Sequence, residues 1–107
     1  MVRGSVVWVS LDPVRALSRT EANDISSTVT VVPLSSVKGR AADRLVQPLL
    51  SAKDTHLPKD SRALCDQVRT VDRGRIRQTS GVLRGEVLGR IDRGLILHLE
   101  LEDYVKP

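Results

Sequence analysis

At 107 residues the chain has room for one domain and a single core. Its formal net charge of +4 favours a polyanionic or acidic partner, whereas Trp8 and Tyr104, the only aromatic residues, argue against a platform that stacks bases on rings. A single cysteine, Cys65, excludes an intrachain disulfide and a multi-thiolate zinc site, and no signal-peptide or membrane-length apolar run is present, so the chain reads as cytosolic and bound to no membrane.

Val6 to Leu11, Val-Val-Trp-Val-Ser-Leu, is rich in β-formers, is stopped by Asp12-Pro13, and carries apolar groups on both faces. It predicts an interior strand. Ala16 to Ser27 is polar and poorly periodic, and reads as a loop with at most one helical turn. Thr28 to Leu34 predicts a second strand, with Pro33 placing its end at an edge or bulge. Ser35 to Arg44 is a basic loop with Lys38, Arg40 and Arg44. Leu45 to Leu50 reads as a short strand and Ser51 to Asp60 as a loop.

Arg62 to Val71 is the longest strand candidate, Asp72 to Arg77 a short helical turn, and Ser80 to Leu83 a brief strand. Helical periodicity appears only near the end. Val87, Ile91, Leu95 and Leu99 recur every fourth residue, with Leu88 widening the stripe. Gly85, Gly89 and Gly94 each weaken that helix by about 1 kcal/mol relative to Ala, so tertiary packing must hold it. Four or five strands followed by one helix predict a mainly β, α+β fold: a small, strongly curved antiparallel barrel with the helix across it.

The run Leu64-Cys65-Asp66-Gln67-Val68-Arg69 carries the most chemistry. Strand alternation would put Leu64, Asp66 and Val68 on one face. A carboxylate between two apolar neighbours is partly desolvated, which suits Asp66 to proton transfer. Gln67 and Arg69 would share the other face, an amide and a guanidinium able to read a base edge and hold a phosphate. The plainer alternative is a polar edge strand with a surface ion pair. Ser35 and Ser36 close a strand and open the basic loop, where hydroxyls can bind phosphate or simply form a turn. Lys38, Arg40 and Arg44 fit phosphate steering, or solubility alone.

The two histidines offer less. His56 falls in a loop and reads as solvated, and His98 lies at the rim of the helix stripe. No His, Cys or carboxylate pair shows metal-ligand spacing, so neither a metal site nor a cofactor is expected. Cys65, inside a predicted strand with no histidine partner, is a poor nucleophile.

Four segments in order resemble the MazF/PemK (Kid) toxin family. Arg3-Gly4-Ser5-Val6-Val7-Trp8-Val9-Ser10-Leu11-Asp12-Pro13 is similar to its first strand, and Val29 to Ser36 to its central strand. Leu57-Pro58-Lys59-Asp60-Ser61 with Cys65 to Asp72 resembles its most recognisable signature, and Ile91 to Leu101 its C-terminal helix. The resemblance implies an SH3-like or CcdB-like barrel, a homodimer in the bacterial cytoplasm, and metal-independent cleavage of single-stranded mRNA by 2′-hydroxyl attack. It also implies an acidic antitoxin covering the RNA groove. By position it makes Ser35 and Asp66 catalytic and puts Gln67 and Arg69 on the RNA, with the strand-end hydroxyl of Ser36 and the loop cation Lys38 as further RNA contacts on their own chemistry.

In one stretch the pattern breaks. Between Arg15 and Ala16 the sequence lacks the Gly-Ser-Glu-Gln loop and the Arg-Pro strand, with its catalytic arginine, that the resemblance leads one to expect. Loss of a strand would leave an unpaired edge. Either that stretch belongs to the protein and is missing from this sequence, or the deletion is real. A real deletion would make the chain an inactive barrel that works by protein binding, sequestering antitoxin or inhibiting a topoisomerase as the CcdB branch does.

Overall fold

The computed structural model describes residues 2–10, 27–38 and 42–104, and the backbone of 15–18. In chain order the elements are β1 (Ser5–Val9), β2 (Arg15–Ser18), β3 (Thr28–Ser36), β4 (Leu49–Leu50), α1 (Ala52–Thr55), β5 (Ser61–Ala63), β6 (Arg69–Asp72), β7 (Ile76–Val82) and α2 (Gly85–His98). The strands form one antiparallel sheet in the order β4-β5-β3-β2-β1-β7, and β6 pairs with β3 beside β5. The mainly β fold with a C-terminal helix is therefore the one expected.

The two ends of that order are joined without a strand pair. α1 follows β4 at one end and packs on β7 at the other. At the seam Gly81 is pressed so closely that a Cβ there would meet the His56 ring and the Thr55 carbonyl oxygen at 3.1 Å. The sheet is thus curved but not closed by strand pairing, and the short helix α1 bridges its two ends.

Alternation along β1 explains its place in the interior. Val6 and Trp8 enter the main cluster with Val32, Leu34, Leu50 and Ile91, and Val7 and Val9 enter a second cluster with Val29, Val31 and Val71. Both faces are buried, as the unbroken apolar run predicts. On α2, Val87, Leu88, Ile91 and Leu95 face the main cluster. Leu99 lies past the last helical residue and is 55% exposed, so it does not extend the stripe.

Several boundaries differ from the sequence reading. Arg15–Ser18 is not loop but a strand between β1 and β3, while residues 19–26 and Leu11 lie outside the described residues. β3 runs on to Ser36, and Pro33 falls where β3 changes partner from β6 to β5, so its missing N–H breaks no ladder. Leu45 to Gln47 is a bend, leaving a strand only at Leu49–Leu50. The Ser51 to Asp60 loop contains α1, whose N-cap Ser51 accepts from the Asp54 N–H. β7 begins at Ile76 rather than Ser80 and ends at Val82. The short turn after Asp72 is present, as Arg73–Arg75.

The largest correction concerns Arg62 to Val71. It is not one strand but β5, a 3-10 turn at Cys65–Gln67, and β6. The turn allows β5 and β6 to pair with successive halves of the long strand β3. It is anchored by the Leu64 N–H on the Pro33 carbonyl at 2.9 Å and the Gln67 N–H on the Leu64 carbonyl at 2.9 Å.

Candidate functional site

The end of β3 fixes the first group. Ser35 faces Arg62 directly across the β3–β5 ladder, and Arg62 in turn faces Leu49 of β4. Opposed residues share a face of the sheet. Their neighbours Leu34 and Ala63, opposed one step along, are buried, so Ser35 and Arg62 lie on the outer face. Ser35 is exposed and its hydroxyl has no hydrogen-bond partner among the described residues. Ser36, opposite Ser61, is exposed too. Beyond it the Val37 N–H donates to the Asp60 carbonyl at 2.9 Å, and the next residue, Lys38, is exposed.

The turn supplies the second group. Because Cys65–Gln67 is a turn, Leu64 and Val68 do not flank Asp66 on one strand face. Asp66 is exposed, not desolvated as the alternation implied, and its Oδ1 accepts from Gln47 Nε2 at 2.9 Å. Gln67 and Arg69 are also exposed, but the first is in the turn and the second opens β6, so they share no strand face. Arg69 opposes Val31. Four residue steps along β3 lead from Val31 to Ser35, about 13 Å of extended chain.

Two residues that the sequence did not single out join these groups. Arg62 Nη1 donates to the backbone carbonyl of Gln47 at 3.1 Å, and the Gln47 side chain holds Asp66. Ser35, Arg62, Gln47 and Asp66 thus form a chain of contacts from β3 to the turn. No local pattern marks Gln47 or Arg62, because their roles depend on the β3–β5 register.

The remaining candidates fall elsewhere. His56 caps α1 in the left-handed region, at φ 61°, with its ring against Gly81. His98 ends α2 and is exposed rather than at the core rim. Cys65 is buried, its sulfur 3.6 Å from the Ile91 carbonyl oxygen. Burial, with Asp66 and Asp92 nearby, pushes its thiol up to about 11, which keeps it protonated and unreactive. Arg44 is exposed, and Arg40 lies outside the described residues. Among the described residues no group of three or more His, Cys, Asp or Glu could hold a metal ion, and no helix is long and apolar enough to cross a membrane. A groove of about 310 Å³ between α2 and the sheet, lined by residues such as Val32, Val68, Leu88 and Leu95, is too apolar to hold phosphate.

Known proteins share the sequence pattern and the fold of this chain. A family model described as PemK-like, MazF-like toxin of type II toxin-antitoxin system matches residues 2–99. Endoribonuclease MazF9 of Mycobacterium tuberculosis is 31% identical over 117 aligned positions, which cover 94% of this chain and 98% of that protein. Among solved structures, an endoribonuclease in complex with its cognate antitoxin from a mycobacterial species has a TM-score of 0.77 at 17% identity, over 100% of this chain and 99% of that one. A MazE-MazF structure from Deinococcus radiodurans has a TM-score of 0.73 at 23% identity, over 95% and 98% of the two chains. At such identities the structural likeness is one of fold.

Proposed function

Since the chain belongs to the PemK-like, MazF-like toxin family of type II toxin-antitoxin systems, a family of endoribonucleases, we propose that it is a toxin that cuts single-stranded mRNA without a metal ion. The match over residues 2–99, with a relative named as an endoribonuclease aligned across nearly all of both chains, carries this reading.

The 2′-hydroxyl of one nucleotide attacks the adjacent phosphorus. An O2′–P bond forms, the P–O5′ bond breaks, and the products are a 2′,3′-cyclic phosphate and a 5′-hydroxyl. Such a site must accept the 2′-hydroxyl proton, stabilise the charged phosphorane and deliver a proton to O5′. Asp66, exposed and oriented by Gln47, is the proton-transfer candidate. Ser35, with an uncommitted hydroxyl among the described residues, donates to a phosphate oxygen. Ser36, Lys38, Gln67 and Arg69, all exposed, contact the flanking RNA. The solved mycobacterial relative is held with its cognate antitoxin. By the same reading an acidic antitoxin covers the basic face of this chain, and the toxin acts as a homodimer in the bacterial cytoplasm.

The test is incubation of the protein with a defined RNA in EDTA, followed by mapping of the cut ends. Discrete cuts bearing cyclic phosphates are expected. No cleavage, or cleavage only on adding metal, defeats the reading.

One observation favours a second reading. The alignment with the M. tuberculosis relative spans 117 positions, ten more than this chain has residues, so part of that alignment has no counterpart here. A length difference of this size has room for part of the loop and Arg-Pro strand that the family resemblance leads one to expect between Arg15 and Ala16. A barrel that had lost its chemistry with them would bind antitoxin or a topoisomerase and leave the RNA in that assay intact.

A further inference from the structure

The outer face of β5 carries a cation whose setting differs from that of the arginines held by carboxylates. Arg3 is paired with Asp92, Arg75 with Asp72 at 3.9 Å, and Arg90 with Asp43 at 3.8 Å. Arg62 is half-buried and has no carboxylate partner among the described residues. Its one side-chain hydrogen bond among the described residues, from Nη1 to the Gln47 carbonyl at 3.1 Å, goes to a neutral acceptor. That contact anchors the guanidinium without neutralising it. The nearby Asp66 is engaged by the Gln47 amide at 2.9 Å and makes no ion pair with Arg62.

Across the ladder stands the Ser35 hydroxyl, also without a partner among the described residues. Opposed residues in an antiparallel pair hold their Cβ atoms about 4.5–5.5 Å apart. The guanidinium is anchored towards β4 and the Ser35 hydroxyl stands on the β3 side. Its unused N–H groups and that hydroxyl bracket a place for a tetrahedral anion, because the planar fork matches two phosphate oxygens and the hydroxyl can donate to a third.

We propose that Arg62 holds the scissile phosphate over Ser35 and stabilises the phosphorane as O2′ attacks. It moves no proton: its positive charge and its N–H groups meet the negative charge that grows on the non-bridging oxygens. The catalytic half of this statement rests on the ribonuclease reading above. The phosphate-holding half does not.

Two measurements on the full chain separate them. The first is cleavage of a defined RNA by Arg62→Ala, Arg62→Lys and the parent. Arg62→Ala should lose a hundredfold or more in kcat/KM, in the range of a missing oxyanion donor. Arg62→Lys should recover only part, because a point charge replaces a fork. Added guanidinium ion should restore Arg62→Ala in a saturable way and leave Ser35→Ala unrestored. A structural role would show no such rescue. Arg77→Ala, which removes an exposed charge on β7, is the control and should cut at the parental rate.

The second measurement is binding of a labelled, mixed-sequence single-stranded DNA, which has phosphates but no 2′-hydroxyl to react. Arg62→Ala should weaken it at least tenfold while its melting temperature stays near that of the parent. Parental cleavage by Arg62→Ala, or a slowed rate without guanidinium rescue, overturns the catalytic role. DNA binding equal to the parent's overturns the phosphate site itself. If the parent cuts no RNA yet Arg62→Ala loses DNA binding, the ribonuclease reading falls and the phosphate site stands.

Discussion

Gly94 of α2 rests directly on Cys65, so closely that a Cβ on Gly94 would lie 2.9 Å from the Cys65 sulfur and 2.9 Å from the Leu45 carbonyl oxygen. The helix can approach the turn that carries Asp66 only because that position has no side chain. Gly89 of the same helix has nothing within 4 Å of where a Cβ would stand. The two glycines should therefore respond in opposite directions. Gly94→Ala should lower stability by about 1–3 kcal/mol through overpacking, whereas Gly89→Ala should raise it by about 1 kcal/mol through helix propensity. Urea midpoints of the two variants check this, and equal shifts would show that α2 does not dock through Gly94.

Alkaline pH should weaken the fold through Cys65. Burial and the nearby Asp66 and Asp92 push the folded thiol from 9.0 up to about 11. The folded state then holds this proton more tightly than the unfolded state does. The contribution is complete below about pH 9 and is lost as pH rises from about 9 to about 11. Urea midpoints across that interval should fall less steeply in Cys65→Ala than in the parent, and the native thiol should resist alkylation near neutral pH. Rapid labelling of the native protein at pH 7 would contradict the burial.

Removing the groups proposed to act on the phosphate should slow cleavage while the barrel stays intact. Ser35→Ala touches no core residue, and Asp66→Asn retains an oxygen that can accept from the Gln47 amide. Each should reduce the cleavage rate by about a hundredfold if it takes part in proton transfer or phosphate binding. A variant that cuts at the parental rate removes that residue from the mechanism.

Lys38 and Arg69 are expected to act as charges alone. Both are exposed, so Lys38→Ala and Arg69→Ala should weaken single-strand binding across all sequences. Removing one cation from a phosphate should flatten the dependence of log affinity on log salt by about 0.7. Anisotropy titrations at several salt concentrations measure that slope, and an unchanged slope would place the residue off the RNA path.

Much of the fold can be read from local patterns because those patterns report burial. The apolar run of β1 announces a strand covered on both faces, since Val6 and Val7 enter different clusters. The four-residue stripe announces α2, since Val87, Ile91 and Leu95 meet one core. Arg62 to Val71 reads wrongly as a single strand because its β-forming residues are compatible with one. Nothing local says that the chain must turn at Cys65–Gln67 to pass from one half of β3 to the other. The expected desolvation of Asp66 fails with that strand.

The sequence by itself determined the family, the mainly β class with a C-terminal helix, and the position of Ser35 as a polar group at the end of a β-forming run. Those properties follow from residue order and periodicity, which the chain carries whether or not it is folded. Only the tertiary structure decided that Ser35 stands opposite Arg62, that Gln47 joins Arg62 to Asp66, and that α2 closes on Cys65 at Gly94. Each of these depends on strand register or helix docking between segments distant in sequence. Register is set by the fit of whole faces against the core, and single residues such as Arg62 are carried into place by it.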